Sequence, residues 1–68
     1  MNRNLNTALR IAIVMTGKSQ GRIGKLARLT APQISQIVQG RVGATPDQRR
    51  RLAKVLGKTE AELFGGAL

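Results

Sequence analysis

Cysteine and histidine are both missing from the chain. Their absence excludes disulfide stapling and any zinc site built on thiolate or imidazole. Tyrosine and tryptophan are missing too, and Phe64 is the single aromatic residue, so a platform on which single-stranded bases stack is not expected. Acids are scarce: Asp47, Glu60 and Glu62 are the whole set. Each falls in the first turn of a predicted helix, where a negative charge complements the helix dipole. No carboxylate is left over for acid–base work, and the serines and threonines have no base beside them. Enzymatic activity, a metal and a cofactor are therefore not expected. Long apolar runs are also lacking. The best is 11–15, far short of the roughly 20 residues that a spanning helix needs. No signal peptide is visible, and the expected location is the cytoplasm, with the nucleoid.

What the chain has in excess is positive charge. Twelve Lys and Arg stand against the three acids, a formal net charge of +9 over 68 residues. A field of that sign draws in polyanions, and nucleic acid is the expected partner ahead of an anionic membrane surface. Solubility alone seldom calls for so one-sided an excess. The length fits one domain, 1–68. A domain of this size buries only about 60% of the surface its unfolded chain exposes, so its core is small.

Glycines punctuate the chain, and the segments between them have helical spacing. Five helices and no strands are predicted. The first covers about 4–16 and buries Leu5, Ala8, Leu9, Ala12 and Met15. Ile11 and Val14 lie off that face and read as the margin of a wide apolar stripe, with contact to another chain as the other reading. The second opens at Ser19 or Gln20 and closes near Arg28, with Ile23 and Ala27 as its apolar pair. Gly24 between them costs roughly 0.8–1.0 kcal/mol relative to Ala inside a helix, which makes sense where another helix passes close. Thr30 caps the third helix, Pro32 lies in its first turn, and Ile34, Ile37 and Val38 face inward. Pro32 disfavours helical geometry at Ala31, so the start is uncertain by a residue. Gly40 ends this helix as a left-handed residue. In the fourth, Thr45 caps, Pro46 takes the first position, and Leu52, Val55 and Leu56 face inward. Gly57 stops it. Thr59 and Glu62 have capping-box spacing for a short fifth helix, with Ala61, Leu63 and Phe64 on its apolar side.

The stretch 19–41 reads SQGRIGKLARLTAPQISQIVQGR. Two short helices meet at a tight connection, a small residue sits where they cross, and Ile34 and Ile37 anchor the second on the first. This is helix-turn-helix spacing, over about 19–40. Ser19-Gln20, Ile23-Gly24, Thr30, Ile34, Ile37 and Gly40-Arg41 together resemble the lambda-repressor-like family, also called Cro or XRE type. The later segment TPDQRRRLAKVLGKTEAELF looks like the family's last two helices, so the resemblance covers nearly the whole chain. It implies a compact five-helix all-α DNA-binding domain whose third helix lies in the major groove. There are two departures. Arg28 stands where the family often has Gly, which implies an altered turn or a longer first helix of the pair. Pro32 takes a base-reading position without a polar side chain.

The candidate base-reading residues are Ala31, Pro32, Gln33 and Gln36. Gln pairs bidentately with adenine, and the apolar pair suits base edges such as a thymine methyl. The candidate phosphate contacts are Lys18, Gln20, Arg22, Thr30, Gln39 and Arg41; for Gln20 the role is implied by the family's backbone-contacting glutamine. Arg49, Arg50 and Arg51 read equally as a further patch or a solvated face. Leu63, Phe64 and Leu68 are possible dimer-interface residues, for one such domain covers only a half-site. The expected function is that of a sequence-specific transcription regulator, binding a palindromic operator on double-stranded DNA as a homodimer, with no small-molecule ligand. The alternatives are a non-specific architectural DNA binder and an antitoxin-like protein-interaction module. Two decoys fail. Gly17-Lys18-Ser19 has the close of a phosphate-binding loop, but Ala12 stands where that motif needs Gly. Gly21 and Gly24 have the spacing of an RNA-binding loop without its sheet.

Overall fold

The computed structural model describes residues 5–65. Among the described residues the chain forms five helices and no strand: α1 Thr7–Met15, α2 Gln20–Leu26, α3 Ala31–Val38, α4 Pro46–Leu56 and α5 Glu60–Phe64. The all-helical class expected from the sequence is what the chain adopts. Leu68 lies outside the described residues.

Each helix starts on a side chain that accepts one of its unpaired backbone N–H groups. Asn6 accepts from the Leu9 N–H and Ser19 from the Arg22 N–H. Thr30, Thr45 and Thr59 accept from Gln33, Gln48 and Glu62, whose side chains return the bond to the threonine N–H. Only the last of these three reciprocal boxes was anticipated, although glutamine serves as well as glutamate at that spacing. Ala31 is the first helical residue of α3 despite the proline after it. The N–H that Pro32 lacks would have been unpaired in any case.

One residue from each helix is sealed at the centre: Leu9, Ile23, Ile34, Leu52 and Leu63. Ala12, Ile13, Ala27, Ile37 and Val38 surround them, with Leu29 and Ala44 contributed by the connections. Val55, Leu56 and Phe64 pack at the margin half-buried, and Ala61 is exposed.

The face of α1 differs from expectation. Ile13 is buried, whereas Ala8 and Met15 are exposed and Leu5 is half-buried. Ile11 and Val14 are exposed as well, so they are not the margin of the core stripe. Every residue of this helix but Thr7 and Arg10 is apolar, so periodicity could not single out one face. A tertiary bond sets the entry instead: the Asn6 N–H donates to the Val38 carbonyl at 2.8 Å. The helix starts at Thr7, and the side turned inward carries Leu9, Ala12 and Ile13.

The turn between α2 and α3 keeps the geometry that glycine would give it. Arg28 has φ 62°, the one non-glycine residue with positive φ among those described. Its N–H donates to the Lys25 carbonyl, and the Leu29 N–H to the Gly24 carbonyl, the paired bonds of a left-handed helix stop. Neither an altered turn nor a longer helix is present. Burial of Leu29 under the turn holds Arg28 in a conformation that costs an L-residue roughly 1–2 kcal/mol.

Two predictions follow from these local bonds. Arg28→Gly should raise the unfolding free energy by about 1 kcal/mol, since strain relief exceeds the entropy cost of glycine; urea denaturation reads it, and an unchanged midpoint contradicts the strain. Glu62 titrates below its ordinary value because it accepts hydrogen bonds from Thr59 and lies near Lys58. A carboxylate with a lowered folded pKa stabilises fully above its unfolded value, and that contribution is lost as pH falls through the folded one. Glu62→Gln keeps the acceptor for Thr59 and drops the charge. Thermal melts across the acid range should therefore show a shallower loss of stability in the variant than in the wild type.

Candidate nucleic-acid interface

Glycine at position 24 is what lets α2 and α3 close on each other. A Cβ there would stand 2.8 Å from Ile34 Cγ2 and 3.1 Å from Ile34 Cβ, and both residues are buried. Ile34 thus sits directly on the α2 backbone, and Ile23, Ala27, Ile37 and Val38 fill the seam around it. With its apolar side committed, α3 has one orientation available, and Ala31, Pro32, Gln33, Gln36 and Gln39 are left facing solvent.

These residues are not equivalent as hydrogen-bonding groups. Gln33 Oε1 accepts from the Thr30 N–H at 2.9 Å. An N–H needs an oxygen there, so the amide orientation is fixed, with Nε2 outward as a donor. Reading adenine bidentately takes the carbonyl oxygen as well as the amide. The expectation of a bidentate Gln33 is therefore revised to a single donor. Gln39 Nε2 donates to Ser35 Oγ at 3.3 Å, leaving its oxygen unengaged. Gln36 is exposed and makes no side-chain hydrogen bond to any of the described residues, so neither end of its amide is engaged among them. The Thr30 hydroxyl oxygen accepts from Gln33, and its proton remains available to an outside acceptor.

The basic candidates gather at the two ends of this pair. Lys18 and Arg22 line one shallow depression together with Ser19, Gly21 and Lys25. Lys25 was not singled out from the sequence, though its spacing from Arg22 on a helix would have found it. Gln20 is half-buried at the first position of α2. At the far end, Gly40 takes the left-handed conformation and the Arg41 N–H donates to the Gln36 carbonyl at 2.9 Å. That bond folds Arg41 back over the last turn of α3, with its side chain exposed.

The three consecutive arginines of α4 separate. Arg49 stacks over the Phe64 ring, 5.6 Å from its centroid, where both line a second depression with Gly40, Val42, Gly43 and Ala44. Arg50 is exposed. Arg51 is half-buried and pairs with Asp47 at 3.3 Å across one helical turn. Arg49 lies beside the connection after α3.

Two of the dimer candidates are placed by the structure. Leu63 is sealed in the core and comes to the surface only as the floor of a groove beside α1. Phe64 is half-buried beneath Arg49.

Among the described residues no helix is long and apolar enough to cross a membrane, and no three His, Cys, Asp or Glu stand together as a metal set. The chain matches no family model, no curated protein and no solved structure.

Proposed function

We propose that the chain is a sequence-specific regulator of transcription that binds double-stranded DNA through a lambda-repressor-like helix-turn-helix, with α3 in the major groove and two copies on a palindromic operator. The observation that carries the reading is the outer face of α3: an exposed amide at Gln36, seated on a helix that Gly24 and Ile34 lock in place, with exposed cations grouped along α2 and at Arg41 after α3. An α-helix with its side chains is about 10–12 Å across, and the major groove is about 12 Å wide. The short polar face of α3 fits such a groove.

Roles divide by chemistry. Gln36 presents the donor and acceptor that adenine N7 and N6 require. Gln33 supplies one donor, suited to guanine O6 or N7 or to thymine O4. Ala31 and Pro32 supply apolar contact to a thymine methyl. Lys18, Arg22, Lys25 and Arg41 neutralise phosphates, and Gln20, Thr30 and Gln39 add neutral hydrogen bonds to the backbone. These contacts set the register and carry no sequence information. The net charge of +9 draws the chain to any duplex, and discrimination comes from α3.

Selection from a random duplex pool at about physiological salt tests the reading. A two-fold symmetric motif should be enriched. On that motif Gln36→Ala should cost roughly 1–3 kcal/mol and relax preference at one position of each half-site, with folding stability unchanged. Arg41→Ala should weaken binding to all duplexes alike and flatten the salt slope by about one. Binding without enrichment would favour an architectural protein, and absence of binding would favour a protein-interaction module.

A further inference from the structure

The side of α1 turned away from the core is an apolar stripe. Ala8, Ile11, Val14 and Met15 are exposed, with Ile11 55%, Val14 67% and Met15 79% accessible. Positions 8, 11 and 15 lie along one helix face, and Val14 flanks it. Arg10 is the only charge on this helix, in a chain that is otherwise strongly basic. The stripe continues into a groove of about 320 Å³ between α1 and α5, edged by Lys58 and Glu62 and floored by Ala12 and Leu63. Contiguous apolar surface of this kind on a small domain marks an interaction site.

Charge indicates what covers it. Of the three acids in the chain, Asp47 is held by Arg51, Glu60 is exposed on α5, and Glu62, also exposed on α5, edges the groove. Among the described residues the only charges lining the groove are Lys58 and Glu62, of opposite sign, so its edge is locally balanced. A second copy carrying the same +9 meets like charge on α2 and the turns beside it, from Lys18, Arg22, Lys25 and Arg28, and on α4, from Arg50 and Lys54. The α1 face lets it approach without that repulsion. A two-fold contact also sets the stripe against itself and the mixed-charge edge of Lys58 and Glu62 against its own complement. An acidic partner, by contrast, is drawn to the basic faces rather than to this one.

We propose that two copies of the chain pair through the α1 stripe and the α1–α5 groove. The choice of a second copy rests partly on the DNA reading, in which one chain covers one half-site. The patch is a few hundred Å², against roughly 800 Å² per partner in a standard stable interface. The free pair is therefore weak, and two adjoining half-sites strengthen it by raising the effective concentration.

Sedimentation equilibrium of the full chain without DNA, at micromolar to millimolar concentration, tests the pairing. The wild type should show a reversible monomer–dimer equilibrium. Ile11→Glu and Met15→Glu should each weaken it at least tenfold, while Gln36→Ala leaves it unchanged. Met15 is so exposed that its substitution leaves the fold intact, which circular dichroism verifies. A wild type that stays monomeric throughout, or a dimer indifferent to both glutamates, overturns the pairing. So does a stripe that engages a different protein while the chain alone remains monomeric. The two readings separate cleanly: a monomer that still selects a DNA motif sinks the pairing alone, and a glutamate-sensitive dimer that binds no duplex sinks the DNA reading alone.

Discussion

A Cβ at position 24 would lie 2.8 Å from Ile34 Cγ2, so α2 and α3 approach as they do because residue 24 has none. Everything outside this contact is arranged by it. Ile34 is sealed on the α2 backbone, and the inward direction of α3 is thereby fixed. Its outward direction follows, because residues 32, 36 and 39 lie opposite 34 and 37 on the same helix. The turn has to return the chain within a few residues. It does so by holding Arg28 left-handed and sinking Leu29 under the turn. A helix pair built this way presents one short polar surface at a defined angle, which is the requirement for reading an edge rather than merely touching it.

Hydrogen-bond commitment then decides which polar residues on that surface are available. Capping boxes occupy the side chains of Gln33, Gln48 and Glu62. The same bonds that start the helices withdraw one acceptor from the proposed recognition face and leave Gln36 as its unengaged amide. Stability and the proposed recognition share residues here. Thr30 both starts α3 and keeps a hydroxyl proton for an outside acceptor.

Much of this was legible in the sequence because its signals are local. Thr45-Pro46 and the Thr59–Glu62 spacing mark helix starts by their own chemistry, and Gly40 and Gly57 mark ends; all stand in the structure where they were read. Gly24 as the crossing residue was also legible, since a helix interior tolerates glycine poorly without a reason. What failed depended on tertiary contacts. α1 is apolar almost all round, so its inward face is chosen by the bond from Asn6 to Val38, between residues distant in sequence. Arg28 shows the converse: the residue type argued against a tight turn, and the burial of its neighbour prevails. The commitment of Gln33 was within reach, since Thr-x-x-Gln is the same box as Thr-x-x-Glu. The burial of Leu63 was not legible, because a short helix has too few residues to show which apolar one is sealed in the core.

In the proposed complex a nucleic-acid duplex meets the chain along the outer face of α2 and α3. The most direct test of that placement is a titration of ¹⁵N-labelled protein with a duplex carrying a selected motif, followed by proton–nitrogen correlation spectra. The side-chain amide signals of Gln36 and Gln39 should shift, together with backbone signals from Lys18 to Lys25 and at Arg41, while α4 signals from Arg50 to Lys54 should stay in place. Shifts concentrated on the exposed arginines of α4, with the Gln36 amide unmoved, would contradict it.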